Sequence, residues 1–148
     1  MKIYKNASLK KFNTFNVDEK ADFIYEIDKI TDLSKILSNK KNKILILGGG
    51  SNILFTKSFN GTIINLKNKG IRIIEEDQRT ALVEISSGEN WNDFVLWTIK
   101  NDLGGVENLS LIPGNVGAAP IQNIGAYGVE IEDVFHSCKG IMLNSLNE

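Results

Sequence analysis

A run of glycines directly after a short apolar segment is the first feature of this 148-residue chain that could bind a ligand. Gly48-Gly49-Gly50-Ser51-Asn52 follows the sequence KILIL at 43–47, which is as short and apolar as a buried strand. Consecutive glycines permit positive φ and bring successive backbone N–H groups close to a bulky anion, and the Ser and Asn side chains add donors. The loop would suit a diphosphate, although a tight turn between two strands explains the same residues equally well.

The two common phosphate-binding motifs do not account for this loop. A dinucleotide-binding G-x-G-x-x-G fingerprint would need glycine where Ile53 stands, and it would have to open a helix. A P-loop would need a Gly-Lys-Ser or Gly-Lys-Thr ending, which the sequence lacks. We therefore interpret 48–52 as a candidate diphosphate loop of neither kind.

A second candidate site is the segment IPGNVGAAPIQNIGAYG at 112–128, which is rich in small residues. Small side chains allow backbone to approach a flat ligand closely, and the two prolines fix φ. Gln122 and Asn123 offer donors and acceptors, and Tyr127 offers a hydroxyl group and a ring. An isoalloxazine ring needs this mixture. An ordinary surface loop is the alternative, but a structureless loop of this length is uncommon unless it has a function.

The elements before the glycine loop form a predicted β-α-β unit. Alternating apolar residues predict a strand at 22–27, and 43–47 predicts a second, buried strand. Thr31 is a good N-cap for a helix between them. The apolar face of that helix would consist of Leu33, Ile36 and Leu37.

After the glycine loop the pattern predicts a mostly antiparallel region. Predicted strands lie at 53–55, 62–66, 71–75 and 81–86, separated by turn residues such as Asn60-Gly61 and Asn68-Lys69-Gly70. Asn90 then caps a helix whose exit is near Gly104. Its apolar residues are Trp91, Phe94, Val95 and Ile99. A strand-like pattern returns only from Val129. The prediction is an α+β protein with subdomains at 1–66 and 67–148.

Composition restricts the partners and the location. The net charge is −1, with 17 Lys and Arg against 18 Asp and Glu, so the basic excess typical of nucleic-acid or anionic-membrane binding is missing. The single cysteine excludes an intrachain disulfide, and no apolar stretch suits a signal sequence or a spanning helix. We expect a monomeric cytoplasmic protein that binds neither nucleic acid nor membrane. His136 and Cys138 share one strand face, but two ligands do not make a zinc site, so we predict no metal.

Several motifs together resemble the UDP-N-acetylenolpyruvoylglucosamine reductase (UDP-N-acetylmuramate dehydrogenase) family. They are LGGGSNILF, FNGTIINL, SSGENWNDFVLW and GGVENLSLIPGNVGAAPIQNIGAYGVE, preceded by Asn13-Thr14-Phe15. The resemblance runs from about Asn13 to about Glu132. It implies the FAD-binding fold shared with vanillyl-alcohol oxidase-like flavoproteins, in two subdomains with FAD between them, plus a third domain for substrate.

The resemblance also implies which residues contact the non-covalent FAD. Its diphosphate would lie near 48–52 and its ring near 112–127. The predicted FAD-binding residues are Gly48, Gly49, Gly50, Ser51, Asn52, Ile53, Leu54, Ile112, Pro113, Gly114, Gly117, Ala118, Ala119, Gln122, Asn123, Ile124, Gly125 and Tyr127.

For the reaction, the resemblance implies that NADPH reduces the flavin, which passes hydride to UDP-N-acetylglucosamine enolpyruvate and yields UDP-N-acetylmuramate for peptidoglycan. The family's catalytic serine, arginine and glutamate lie downstream of the segment matching GAYG. No arginine follows Arg79, and Ser137, Ser145 and Glu148 stand in no matching motif. We therefore predict no catalytic residue here, and we expect a truncated chain without useful reductase activity. A non-redox module that binds nucleotide diphosphates, or an inert remnant of a decayed gene, are the alternatives.

Overall fold

The computed structural model describes residues 1–38 and 43–141, which form two compact units. The first unit comprises Met1–Lys67 together with the segment that begins at His136, and the second comprises Asn68–Phe135. The subdomains predicted from the sequence, 1–66 and 67–148, stay a prediction.

The first unit is built on a four-stranded sheet with the order β1-β2-β4-β3. Its strands are β1 (Lys2–Ser8), β2 (Lys20–Ile27), β3 (Ile44–Leu47) and β4 (Phe59–Leu66). β1 is antiparallel to β2, whereas β4 runs parallel to both β2 and β3. Helix α1 (Ile30–Ser38) follows β2, so the predicted β-α-β unit is present, with β4 inserted between its two strands.

Apolar residues cover both faces of this sheet. Adjacent residues of β4 point to opposite faces, and accordingly Ile63 packs in one cluster and Ile64 in another, both fully buried. The first cluster contains Leu9, Phe12, Ala21, Ile24, Leu47, Phe55 and Ile63. The second contains Ile27, Leu33, Leu37 and Ile64, which confirms the apolar face predicted for α1. The end of β3 is therefore fixed in a packed sheet.

Three local predictions for the first unit are wrong. Helix α1 begins at Ile30, so Thr31 lies inside it and does not cap it. The segment 53–55 forms no strand, since Phe55 is buried by its side chain without joining a ladder. Asn60-Gly61 lies within β4 and makes no turn. Gly61 is instead needed for packing, because a Cβ there would lie 2.5 Å from the Lys43 carbonyl oxygen. Strand β1 was not predicted from its largely polar sequence.

The second unit packs short elements around one helix. Strands β5 (Ile71–Glu76) and β6 (Ala81–Ile85) are antiparallel, as are β7 (Gly125–Ala126) and β8 (Val129–Glu130). The helices are α2 (Trp91–Lys100) and the short α3 (Ala119–Gln122), with 3-10 turns at Glu107–Leu109, Val116–Ala118 and Ile131–Asp133. The buried core consists of Trp91, Phe94, Val95, Val106, Leu109, Ala119 and Ile131. Together the two units confirm the predicted α+β class.

Asn90 caps α2 as predicted, because its side-chain oxygen accepts the N–H of Asp93 at 3.1 Å. Ile99 was expected on the buried face but is half exposed. The chain leaves the helix through Asp102, whose φ of +56° lies in the left-handed region, two residues before the Gly104 predicted near the exit. None of the helices in the described parts of the chain is long and apolar enough to cross a membrane.

Candidate functional site

The glycine loop begins where β3 ends at Leu47, and its third glycine is held against the chain's own backbone. Gly50 is buried, has a φ of +70°, and accepts the N–H of Thr14 on its carbonyl oxygen at 3.1 Å. A Cβ at this position would collide with the carbonyl oxygen of Phe12 and come within 2.9 Å of the Asn13 Cα. Both the backbone conformation and the close approach therefore require glycine.

Asn13 shapes the turn on which Gly50 rests. The side chain is buried, and its Nδ2 donates to the carbonyl oxygens of Leu9 at 2.8 Å and Val17 at 3.1 Å. Its Oδ1 accepts the Val17 N–H at 3.1 Å. The Asn-Thr element noted in the sequence thus supports the glycine loop: Asn13 holds the turn, and Thr14 contacts the loop through its backbone.

A third contact comes from Asn65 in β4. Its Nδ2 donates to the carbonyl oxygens of Leu47 and Gly48, both at 2.7 Å, and the residue is 1% exposed. Its Oδ1 is buried and accepts no hydrogen bond from the part of the chain that the structure describes. A buried acceptor without a partner costs about 1–3 kcal/mol. Asn65 was not among the predicted site residues. Its signal in the sequence is a single amide inside the otherwise apolar run TIINL.

The backbone N–H groups of the three glycines are the candidate ligand contacts of the loop. Across residues 1–38 and 43–141, the N–H groups of Gly48, Gly49 and Gly50 donate to no backbone carbonyl. Gly49 and Asn52 are exposed, and Ser51 is half-buried. Next to them, Ile53 is half-buried and Leu54 is 61% exposed, which places an apolar side chain in solvent. A strand that ends in such N–H groups, followed by hydroxyl and amide side chains, can bind an anion.

The second candidate segment is hydrogen-bonded to the first residue of α2 and to residues just before it. The Gly114 carbonyl accepts the Trp91 N–H at 3.0 Å, and the Val116 N–H donates to the Glu89 carbonyl at 2.9 Å. Gly117 donates to the Ser87 carbonyl at 3.0 Å. A Cβ on Gly117 would lie 2.6 Å from the Ser87 Cβ, so this close approach needs glycine. The first half of the segment is therefore shaped by its own unit.

Glu89 adds an electrostatic contact at the same place. Its carboxylate accepts the Gly70 N–H at 2.7 Å and the Lys69 ammonium at 3.0 Å, while only 14% of its side chain is exposed. Burial raises the pKa of Glu89, but the hydrogen bond from Gly70 and the charge of Lys69 outweigh it and hold the pKa below its ordinary value. The carboxylate is thus ionised at neutral pH and joins the start of β5 to the N-terminus of α2.

The second segment, with Leu111 just before it, combines positive φ with exposed apolar side chains. Leu111, Asn123 and Tyr127 have φ values of +63°, +41° and +55°. Leu111 and Tyr127 are 80% and 90% exposed, and Ile121 is 87% exposed. Left-handed conformations are costly for residues other than glycine and concentrate at functional sites. Apolar side chains presented in this way suit the flat face of a ring.

The predicted ring-binding residues divide by exposure. Ala119 is buried and packs in the core, with Ile112 and Ile124 half-buried against it. Gly114 and Ala118 are also half-buried. The exposed members of the set are Pro113, Gly117, Gln122, Asn123, Gly125 and Tyr127. The Asn123 Nδ2 donates to the Glu130 carboxylate at 2.7 Å, so one of its hydrogen-bond donors is already used within the second unit.

An open groove with a volume of about 500 Å³ contains residues from the end of this segment. It is lined by Asn123, Gly125, Ala126, Gly128, Val129, Glu130 and Asp133. Three of these residues, Gly125, Ala126 and Gly128, are small residues of the segment predicted to approach a flat ligand. A Cβ on Gly128 would meet no atom within 4 Å, so the groove is open at that residue.

The residues weighed for catalysis or metal binding do not assemble into a site. His136 Nδ1 lies 3.2 Å from Ser137 Oγ, and Cys138 is an exposed free thiol. Within the described residues, no three His, Cys, Asp or Glu side chains are grouped so that they could hold a metal ion. Ser145 and Glu148 lie outside the described residues.

A parallel strand that runs into a glycine loop, and a second segment with left-handed backbone and exposed apolar side chains, are features of a domain that binds a nucleotide-containing cofactor. Residues 23–143 match the family model for the FAD binding domain. The chain belongs to this family of FAD binding domains. FAD, which the sequence motifs predicted, is the cofactor of this family.

Similar curated proteins share one name. UDP-N-acetylenolpyruvoylglucosamine reductase of Flavobacterium johnsoniae is 51% identical over 98% of this chain and 43% of its own length. The protein of that name from Shewanella oneidensis is 48% identical over 93% of this chain and 41% of its own length. The resemblance noted in the sequence is thereby confirmed. The chain spans about two-fifths of the length of these curated relatives, so it corresponds to their FAD-binding portion.

A solved structure supports the fold independently. The crystal structure of UDP-N-acetylenolpyruvylglucosamine reductase from Thermus caldophilus superimposes with a TM-score of 0.67 and 21% sequence identity. The match covers 89% of this chain and 45% of that one. At this identity the likeness shows a common fold.

Proposed function

We propose that this chain is the FAD-binding part of an NADPH-dependent reductase that converts UDP-N-acetylglucosamine enolpyruvate to UDP-N-acetylmuramate in peptidoglycan synthesis. The observation that carries the proposal is the loop after β3, in which three successive glycine N–H groups lack a backbone acceptor within the described residues. The family of the chain supports FAD as the ligand, and the name of its relatives supports the reaction.

The diphosphate of FAD is assigned to the glycine loop. Gly48, Gly49 and Gly50 would donate backbone N–H groups, and Ser51 and Asn52 would add side-chain contacts, as in other anion-binding turns. Ile53 and the exposed Leu54 continue the loop and would give apolar contact beyond the phosphates. The three anchors of the loop, Thr14, Asn65 and the Phe12 backbone, support this assignment because they fix the loop before a ligand arrives.

The isoalloxazine ring is assigned to the second segment. Its exposed polar residues, Gln122 and Asn123, are suited to the hydrogen-bonding edge of the ring, and Tyr127 is suited to a ring face or edge. The remaining residues proposed to line the ring or to shape its site are Ile112, Pro113, Gly114, Gly117, Ala118, Ala119, Ile124 and Gly125. Backbone fixed by Ser87, Glu89 and Trp91 would hold this surface in place.

When FAD is bound, it supplies the hydride chemistry between NADPH and the vinyl group of the substrate. The residues of this chain would bind and orient the cofactor. They hold no candidate for the proton donor or for the group that stabilises the intermediate, since no arginine follows Arg79 and Ser137 lies in no family motif. NADPH and the UDP-sugar therefore belong to the proposal for the whole reductase.

The remaining partner assignments follow from charge and composition. A net charge of −1 gives no basic excess of the kind that nucleic-acid or anionic-lipid binding favours, and a single free cysteine is compatible with a reducing cytoplasm. We place the protein in the cytoplasm as a monomer. Light scattering of the purified chain tests the oligomeric state: the mass of one chain is expected, and a stable dimer would contradict the assignment.

Equilibrium titration with FAD, FMN and ADP tests the cofactor assignment. If both segments serve one cofactor, FAD binds more tightly than FMN, which lacks the diphosphate, and more tightly than ADP, which lacks the ring. Equal affinity for FAD and ADP would instead identify a non-redox module for nucleotide diphosphates. A folded chain that binds none of the three would be an inert remnant.

A further inference from the structure

Asn65 joins the end of β3 to the glycine loop through two carbonyl groups that are consecutive in the chain. Its Nδ2 donates to the carbonyl oxygens of Leu47 and Gly48, each at 2.7 Å. Because the amide nitrogen carries two hydrogens, it can satisfy both acceptors at once. In an extended strand, successive carbonyls point to opposite sides. Two successive carbonyls on one nitrogen therefore show that the chain leaves the strand conformation at this point.

The direction of the carbonyls fixes the direction of the loop donors. In a trans peptide the C=O and N–H bonds are antiparallel, and the chain contains no cis peptide among its described residues. The Leu47 carbonyl belongs to the same peptide as the Gly48 N–H, and the Gly48 carbonyl belongs to the same peptide as the Gly49 N–H. Both N–H groups therefore face away from Asn65, on the same side of the chain. Two successive N–H groups on one side are what an anion-binding turn provides.

The chemistry of Asn65 argues against a role in packing alone. The residue is 1% exposed, and its Oδ1 accepts no hydrogen bond within the described part of the chain. A leucine of similar size would fill the same space without burying the unsatisfied Oδ1, but it could not donate to the Leu47 and Gly48 carbonyls. The side chain is thus useful at this position through its two donors, which act on Leu47 and Gly48.

From these contacts we propose that Asn65 is a positioning residue for a diphosphate: it aims the Gly48 and Gly49 N–H groups at the phosphates. The inference rests on the proposed FAD site and names the residue that prepares it. Asn65 does not touch the ligand in this account. It acts through the two peptide groups that it anchors, whose N–H groups donate to no backbone carbonyl of the described residues.

The first test compares Asn65→Leu with the wild-type chain for two ligands. FAD carries the diphosphate and its adenosine and riboflavin carries neither, so the ratio of their dissociation constants reports the contacts of this ADP portion, which include those to the phosphates. Asn65→Leu is expected to raise the Kd for FAD by about tenfold or more. The loss of one well-directed hydrogen bond to a charged phosphate is enough to change the Kd by this factor. The Kd for riboflavin should change less than about twofold. Thr98→Val is the matched control, since it removes a buried side-chain bond to the Val95 carbonyl in the second unit and should change neither constant.

A second measurement does not depend on the folding of a variant. Inorganic pyrophosphate added to the wild-type chain should shift the backbone amide NMR signals of Gly48 and Gly49 more than those of Gly61 and Gly140. An unchanged FAD affinity in folded Asn65→Leu, an equal loss for FAD and riboflavin, or unshifted Gly48 and Gly49 signals at saturating pyrophosphate would each overturn the inference. Wild-type protein that binds pyrophosphate at these amides but not FAD would contradict the proposed function and leave the inference standing.

Discussion

Gly50 shows how a single residue defines the loop after β3. Its φ of +70° and the collision that any Cβ would make with the Phe12 carbonyl are two independent reasons for glycine. The sequence predicted a diphosphate loop here, with a tight turn as the alternative, but it could not predict that Gly50 is required by contact with the chain's own backbone. That role depends on a turn far earlier in the chain, where Asn13 and Thr14 hold the contacting backbone.

Gly50→Ala is therefore expected to destabilise the chain and to weaken FAD binding. The backbone conformation alone costs about 1–3 kcal/mol for a residue with a Cβ, and the contact with Phe12 adds to it. Urea unfolding followed by circular dichroism gives the free energy. Gly140→Ala is the control, because a Cβ there meets no atom within 4 Å, and it should change stability by less than about 0.5 kcal/mol. Equal stability of the two variants would show that the loop is not held as described.

Glu89 predicts a pH dependence for the second unit. Its pKa is lowered in the folded chain from an ordinary value of 4.5, because the Gly70 and Lys69 contacts outweigh burial. The carboxylate thus contributes stability that is present above pH 4.5 and is lost as the pH falls through the lower folded pKa. Asp77 and Glu107 also have lowered pKa values and act in the same direction, so one variant has to isolate the effect of Glu89.

The free energy of unfolding of Glu89→Gln should fall less steeply with decreasing pH than that of the wild-type chain. Gln keeps an acceptor for the Gly70 N–H but cannot titrate. Chemical unfolding at a series of pH values below neutrality measures the difference, with the exposed Glu75→Gln as control. Parallel curves for wild type and Glu89→Gln would rule out the proposed contribution of this carboxylate.

At the scale of elements, prediction succeeded where a local signal sufficed. Asn90 followed by Trp91, Phe94 and Val95 predicted a capped amphipathic helix, and α2 has that cap and that buried face. It failed where distant contacts decide. The polar β1 pairs with β2 at the sheet edge. Asn60 and Gly61 lie within β4, where Gly61 packs closely against Lys43. No periodicity within those segments carries this information.

The N-cap of α2 gives a prediction for this element. Asn90→Ala should lower the stability of the second unit by about 1 kcal/mol, because the Asp93 N–H loses its acceptor. Asn90→Asp should retain most of the stability, since aspartate caps helices equally well. Thermal or urea unfolding of both variants provides the comparison. If the Ala and Asp variants lose the same amount, the cap is not the source of the effect.

At the scale of the whole molecule, the chain represents the FAD-binding portion of longer relatives. It covers 43% of the Flavobacterium johnsoniae reductase, and 23–143 match the FAD binding domain. The sequence motifs predicted both candidate segments by residue number. They could not reveal Asn65 as an anchor of the first segment, or the left-handed backbone of Asn123 and Tyr127 in the second, because these features depend on folded contacts.

A polypeptide limited to residues 1–148 is expected to lack steady-state reductase activity. It has no arginine after Arg79, and the resemblance places the catalytic serine, arginine and glutamate outside the segments matched here. Loss of a general acid lowers the rate by about 10²–10⁴-fold, and loss of an electrostatic partner by about 10²–10³-fold. The assay is NADPH oxidation that depends on the enolpyruvyl substrate. Turnover at the rate of an intact relative would contradict this prediction.

The central claim, that this chain holds FAD, is tested most directly by the cofactor content of the purified protein. The chain should be isolated as a yellow protein, or become so after incubation with FAD and removal of free ligand, and denaturation should release FAD in an amount equimolar to the protein. A folded, monomeric chain that stays colourless after incubation with FAD and releases none on denaturation would contradict the account.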